Sequence, residues 1–216
     1  MKMMWSKFLK RFKEHFFLYT DFKHITLVAI GYSFLYFAYQ ISNDAGVMAT
    51  RLASNSVSDT LHKILPKFNS LFLHETFSMA FYYSRNAIFL LFPRRVIFGT
   101  FTLATLILTR AFFINLTHIG MPEEARPIWS EATFGGDLFF SGHVAYAFLL
   151  ALIFWDIKIL RYIFIGISIT LGASSVLGRY HYSIDVFAAP FIAYGIFSIC
   201  KYIKKRASTL GGSLRH

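Results

Sequence analysis

The chain has little of what a soluble protein is built with. Charged residues fill only 15% of its 216 positions, against roughly 25% in a globular domain, while 56% are apolar and mean hydropathy is +0.50. A single cysteine, Cys200, excludes a disulfide framework. Six membrane spans of about 20 residues each would use roughly 120 residues, close to the whole apolar inventory, so no separate soluble catalytic domain fits. Acidic residues are half as numerous as basic ones, 11 against 22. The resulting net charge of +11 does not mark a nucleic-acid reader, because the basic residues gather at the two chain ends rather than on one solvent-facing surface. Lys2, Lys7, Lys10, Arg11, Lys13 and Lys23 precede the first apolar run, and Lys201, Lys204, Lys205, Arg206 and Arg215 follow the last. No internal repeat is present, which argues against an inverted-repeat transporter.

What is present reads as an all-α integral membrane protein, a six-transmembrane helix bundle. Residues 1–24 set Trp5, Phe8, Leu9, Phe12, Phe16 and Tyr19 opposite Lys7, Lys10, Arg11, Lys13 and Glu14 at helical spacing, the pattern of an amphipathic interfacial helix. No small-residue cleavage site follows Ile41, so a cleaved signal peptide is not expected. The membrane domain is assigned to residues 25–203 and a basic tail to 204–216. Spans are predicted at 25–41, 72–92, 96–119, 138–155, 159–178 and 183–203, and residues 42–70 read as a polar loop carrying one short helix. In this layout fifteen Lys and Arg fall on one side and five on the other, which predicts cytoplasmic termini by the positive-inside bias.

The same layout brings polar residues of three spans to the non-cytoplasmic leaflet. Asp137, Ser141, Gly142 and His143 open the fourth span, His181 and Asp185 open the sixth, and Arg110 sits near the outer end of the third. His181 and Asp185 are four apart, so on a helix they share a face. A carboxylate behind an imidazole fixes its tautomer and makes the other ring nitrogen a better nucleophile or base; a plain N-cap and core hydrogen bond is the competing reading. Ser141-Gly142-His143 at a helix start offers free backbone N–H groups and a dipole end that favours anions, or simply a glycine packing contact beside an interfacial histidine. A divalent metal site built from Asp137, His143, His181 and Asp185 is allowed by residue type, but no recognised metal spacing supports it. A proton relay in a small carrier would extend toward the midplane, where only Arg85, Asn86 and Arg110 stand. His74, Glu75, His118 and Glu123 read as snorkelling interfacial side chains, with lining of the same cavity as the lesser alternative, and Tyr180 and Tyr182 as part of an aromatic belt, with substrate contact the lesser alternative.

Taken together, Gly136-Asp137 with Ser141-Gly142-His143, then His181-Tyr182 with Asp185-Val186, resemble the sphingomyelin synthase family within the type 2 phosphatidic acid phosphatase superfamily. Arg110 followed by Met121-Pro122 in an outer loop is similar too. The resemblance covers residues 96–203. It implies a histidine-based phosphotransfer in which His181 attacks phosphorus, Asp185 orients it and His143 protonates the departing alcohol. Asp137, Ser141, Gly142, Arg110 and Arg179 would bind substrate, a membrane phospholipid would be the donor and a lipid hydroxyl or water the acceptor, so that transferase and phosphatase both remain open, and no metal or other cofactor is expected. The chain departs from the ordinary phosphatase branch at two basic positions: Ile119 stands seven residues before Arg126-Pro127 where that branch has lysine, and Ser174-Ser175 replaces its Ser-Arg. Gly135 replaces the synthase cysteine. The missing clamps favour a phosphodiester donor over a doubly charged monoester.

Overall fold

The computed structural model describes residues 21–122, Ala125 and 138–213. The expected amphipathic helix at 1–24 therefore lies almost wholly outside the described residues, as do Glu123, Arg126 and Asp137. Among the described residues seven helices occur in order: α1 (Phe22–Arg51), α2 (Thr60–Ile64), α3 (Leu71–Leu91), α4 (Pro93–Leu116), α5 (Gly142–Ile153), α6 (Lys158–Leu177) and α7 (Ser183–Ser213). No strand occurs among the described residues. Four helices, α1, α4, α6 and α7 (the last over Ser183–Thr209), are long and apolar enough to cross a membrane.

Local chemistry sets the helix ends. Asp21 caps α1 by accepting from Lys23 N at 3.2 Å, and Pro93 stands in the first turn of α4, where its missing N–H costs nothing. Three boundaries differ from the sequence reading. α1 does not stop at residue 41 but runs ten residues into the polar stretch. Ala45 and Ala49 are buried there in a small cluster with Ala111 and Ile114 of α4, so small side chains allow close packing that polarity alone does not reveal. The same interface is tight further along, where a Cβ on Gly31 would collide with the Thr100 side chain.

α5 is the second difference. The predicted span began at 138, yet Leu138 to Ser141 is not helical and the helix has only 12 residues, about 18 Å at 1.5 Å per residue. Ten of those residues are buried, because α5 lies in the middle of the bundle against α4, α6 and α7. Buried aromatic rings tie it to α3: Phe89 meets Phe154 at 6.1 Å, Phe154 meets Phe164 at 6.2 Å, and Phe164 meets Phe81 at 6.3 Å. α7 continues past residue 203 to Ser213, so much of the expected basic tail is an extension of the last helix.

Candidate active site

The starts of α3, α5 and α7 meet the ends of α4 and α6 at one end of the bundle. Ser141, just before α5, donates its backbone N–H to the carbonyl of Asp185 in α7 at 3.0 Å, which joins the two motif segments directly. Arg110, near the end of α4, is buried and donates from Nε to the Phe140 carbonyl at 2.9 Å. Its guanidinium lies against Gly142, where an added Cβ would come within 3.3 Å of Nε. Glycine at this position lets a charged side chain approach the first turn of α5.

His181 and Asp185 face each other as their spacing predicts, with Nδ1 and Oδ2 3.4 Å apart. Asp185 is fully buried, and its Oδ2 also accepts from the backbone N–H of Tyr182 at 3.0 Å. Its other oxygen, Oδ1, has no hydrogen-bond partner among the described residues, and neither have His181 Nδ1 and Ser141 Oγ. Buried polar atoms are normally satisfied, so Asp185 Oδ1 and Ser141 Oγ keep hydrogen-bonding capacity beside the His181–Asp185 pair. His143 stands in the first turn of α5, with its ring centroid 5.9 Å from that of Tyr82.

A third histidine completes the cluster. His74, in the first turn of α3, is only 2% exposed, so it is not the snorkelling interface residue that its sequence position suggested. Its ring sits edge-on to His143 with centroids 5.0 Å apart and lies 5.1 Å from that of Tyr180. Its Nδ1 is 3.1 Å from Ser174 Oγ and 3.5 Å from Ser175 Oγ. Ser174 in turn bonds the α3 entry through its carbonyl, which accepts from Ser70 Oγ at 2.7 Å. One hundred residues separate His74 from Ser174, and no local pattern announces the pair. The sequence offered only the lesser alternative that His74 lines the cavity.

The polar segment around α2 holds the strand of chain that bears His181. Arg179, with φ 64°, occupies the left-handed region that non-glycine residues rarely adopt. Its guanidinium donates to the carbonyls of His62 at 2.6 Å and Leu65 at 2.8 Å, at the end of α2. Ser183 donates from its backbone N–H at 2.7 Å and its hydroxyl at 2.8 Å to Asp59 Oδ2, while Asp59 Oδ1 caps α2 by accepting from His62 N at 3.0 Å. The His62 ring reaches the His181 carbonyl at 3.2 Å, and the Tyr182 hydroxyl donates to Gly120 O at 2.9 Å and accepts from Val57 N at 3.0 Å. Tyr180 and Tyr182 are 3% and 1% exposed, so they are internal struts and not an aromatic belt. Arg179 also lines an external cavity of about 420 Å³ with Asp59, His62 and Lys63.

Asp59 lies outside the helices that cross the bundle. Burial acts to raise its pKa, but the hydrogen bonds from His62 and Ser183, with the nearby His62 ring, outweigh it and hold the carboxyl below its ordinary value.

Residues 135–202 match the family model described as PAP2 superfamily C-terminal. The match spans both histidine segments and supports the type 2 phosphatidic acid phosphatase superfamily, and with it a function of the lipid phosphatase or phosphotransferase type. No curated protein and no solved structure matches the chain.

Proposed function

We propose that this protein is a membrane lipid phosphotransferase, similar to the sphingomyelin synthases, that works through a phosphohistidine. The observation that carries the reading is the buried Asp185 carboxylate behind His181 Nδ1, on a segment bonded through its own backbone to the start of α5. With Nδ1 turned to the carboxylate, Nε2 is the nitrogen that attacks phosphorus. The P–O bond to the lipid alcohol breaks as the N–P bond forms, and His143 gives its proton to the departing oxygen. An acceptor hydroxyl then attacks the phosphorus, the N–P bond breaks and the hydroxyl proton returns to His143; water in that role would give the phosphatase reaction of the same superfamily.

Phosphoryl transfer needs mainly positioning and charge stabilisation. Arg110, the first-turn N–H of Gly142 and the Ser141 hydroxyl supply these beside His143, with Asp137 and Arg179 completing the substrate-binding set. His74 stands against Ser175, where the phosphatase branch carries arginine, and it contributes a ring nitrogen on the phosphate side of His143. Around this centre α3 and α5 complete six spans, with both termini cytoplasmic and the site toward the opposite leaflet. The division of basic residues supports that orientation.

The test incubates purified, reconstituted protein with labelled phospholipids, with and without ceramide or diacylglycerol, and resolves the products. His181→Ala is expected to abolish both phosphoenzyme and turnover, and Asp185→Asn to lose on the order of a hundredfold or more in rate. His143→Ala is expected still to be phosphorylated by a nitrophenyl ester, whose leaving group needs little protonation, while natural lipid fails. Rescue by the activated ester in His181→Ala and not in His143→Ala would reverse the two roles. Equal activity of all three variants on every lipid would defeat the reading.

A further inference from the structure

The opposite end of the bundle carries a second concavity. A groove of about 870 Å³ opens between α5, the turn after it and α7, within the range of about 300–1,000 Å³ of ligand clefts. Its walls are divided by chemistry. Phe148, Leu152, Tyr194 and Phe197 form the part nearer the bundle centre, and Lys201 and Lys205 stand at the outer rim. The two lysines are four residues apart on α7 and so share one face.

Three observations say what such a groove takes. First, its charge is positive. Asp156 is the one acid of the lining, and its carboxylate is already held by both terminal nitrogens of Arg95, at 2.7 and 2.6 Å. Among the described residues no other carboxylate lines the groove to neutralise Lys201 and Lys205. Second, the rim is level with side chains suited to a membrane–water boundary: Trp155 and Tyr202, which also line the groove, are 50% and 57% exposed. Third, the apolar wall continues from that rim along a helix that is apolar enough to cross a membrane. We infer that this groove binds one acidic phospholipid, with its headgroup phosphate between Lys201 and Lys205 and an acyl chain along Phe148, Leu152, Tyr194 and Phe197. Basic pockets between spanning helices take anionic headgroups for the same electrostatic reason. The groove lies at the end of the bundle remote from His143 and His181, so the inference does not rest on the phosphotransfer reading.

Lys204 provides the control. It neighbours the rim lysines in sequence but does not line the groove, and its ammonium sits over the Phe98 ring of α4 at 4.9 Å. The full chain is reconstituted in phosphatidylcholine nanodiscs containing a small fraction of spin-labelled phosphatidylglycerol, and the motionally restricted fraction is measured against spin-labelled phosphatidylcholine. The wild type is expected to restrict about one phosphatidylglycerol per chain with a clear preference over phosphatidylcholine. Each of Lys201→Gln and Lys205→Gln is expected to lower that preference about fivefold, from roughly 1 kcal/mol per basic residue near an anionic lipid. Lys201→Arg with Lys205→Arg should keep it, and Lys204→Gln should change it less than twofold. Equal restriction of both lipids by the wild type would overturn the proposal. So would a loss in Lys204→Gln as large as in Lys201→Gln, which would mean general surface attraction and no groove.

Discussion

Removing the carboxylate of Asp59 is expected to loosen the protein and its histidine cluster together. Asp59 accepts three bonds, from His62 N, Ser183 N and Ser183 Oγ at 3.0, 2.7 and 2.8 Å. Bonds to a charged acceptor contribute about 1.5–3 kcal/mol each, but the three share one carboxylate whose own burial is costly. The net loss in Asp59→Ala is therefore expected to be about 2–4 kcal/mol, or a fall in melting temperature of about 5–15 °C for a chain of this size. Asp59→Asn keeps a capping oxygen and should lose about half as much. Acid provides a second axis. The folded pKa lies below the unfolded value, so the stabilisation is complete above the unfolded value of about 3.9 and disappears as pH falls through the folded one. Wild-type protein in detergent should lose melting temperature below about pH 4, and the Asp59→Asn protein should lose less over that interval. Ser183 begins α7 two residues after His181, so turnover by Asp59→Ala should fall even at temperatures where it remains folded. Intrinsic-fluorescence melting and a lipid product assay measure both effects. A melting temperature within about 1 °C of wild type, or an unchanged acid profile in Asp59→Asn, would refute the reasoning.

His74→Ala is expected to lower kcat/KM by about tenfold or more on natural lipid, and Ser174→Ala to produce a smaller loss with an altered pH–rate profile, because Ser174 acts only through the ring it holds; full activity of His74→Ala would return that histidine to a packing role. Gly31→Leu is expected to force α1 off Thr100 and cost about 1–3 kcal/mol, seen as a lower melting temperature, whereas Gly166→Ala, at a position with open space around it, should melt within about 2 °C of wild type.

Much of the outline was legible because it depends on composition and short spacing. Apolar runs gave the long helices α4, α6 and α7, and the four-residue interval between His181 and Asp185 gave their contact. Polarity misled where packing decides. Asn43 and Asp44 suggested a loop after residue 41, yet Ala45 and Ala49 bind that turn to α4. Tyr180 and Tyr182 looked like boundary aromatics, and the structure buries them because Gly120, Val57 and His74 come to them from far along the chain. His74 was hidden for the same reason. Its partners are serines a hundred residues away, and neither residue type nor period carries information over that separation.

The shortness of α5 has a consequence for how the chain enters a membrane. Hydrocarbon about 30 Å thick is matched by about 20 residues of helix, and α5 has 12, nearly all turned toward other helices. Such a segment has almost no surface to offer to lipid and too little length to halt translocation by itself. Were it to reside in the bilayer, as the proposed six-span arrangement requires, that would be a collective property, granted by α4 before it and by α6 and α7 after it. The catalytic candidate His143 rides on the element least able to insert alone, so a chain cut between α6 and α7 is expected to lose not only His181 but also the depth at which His143 stands.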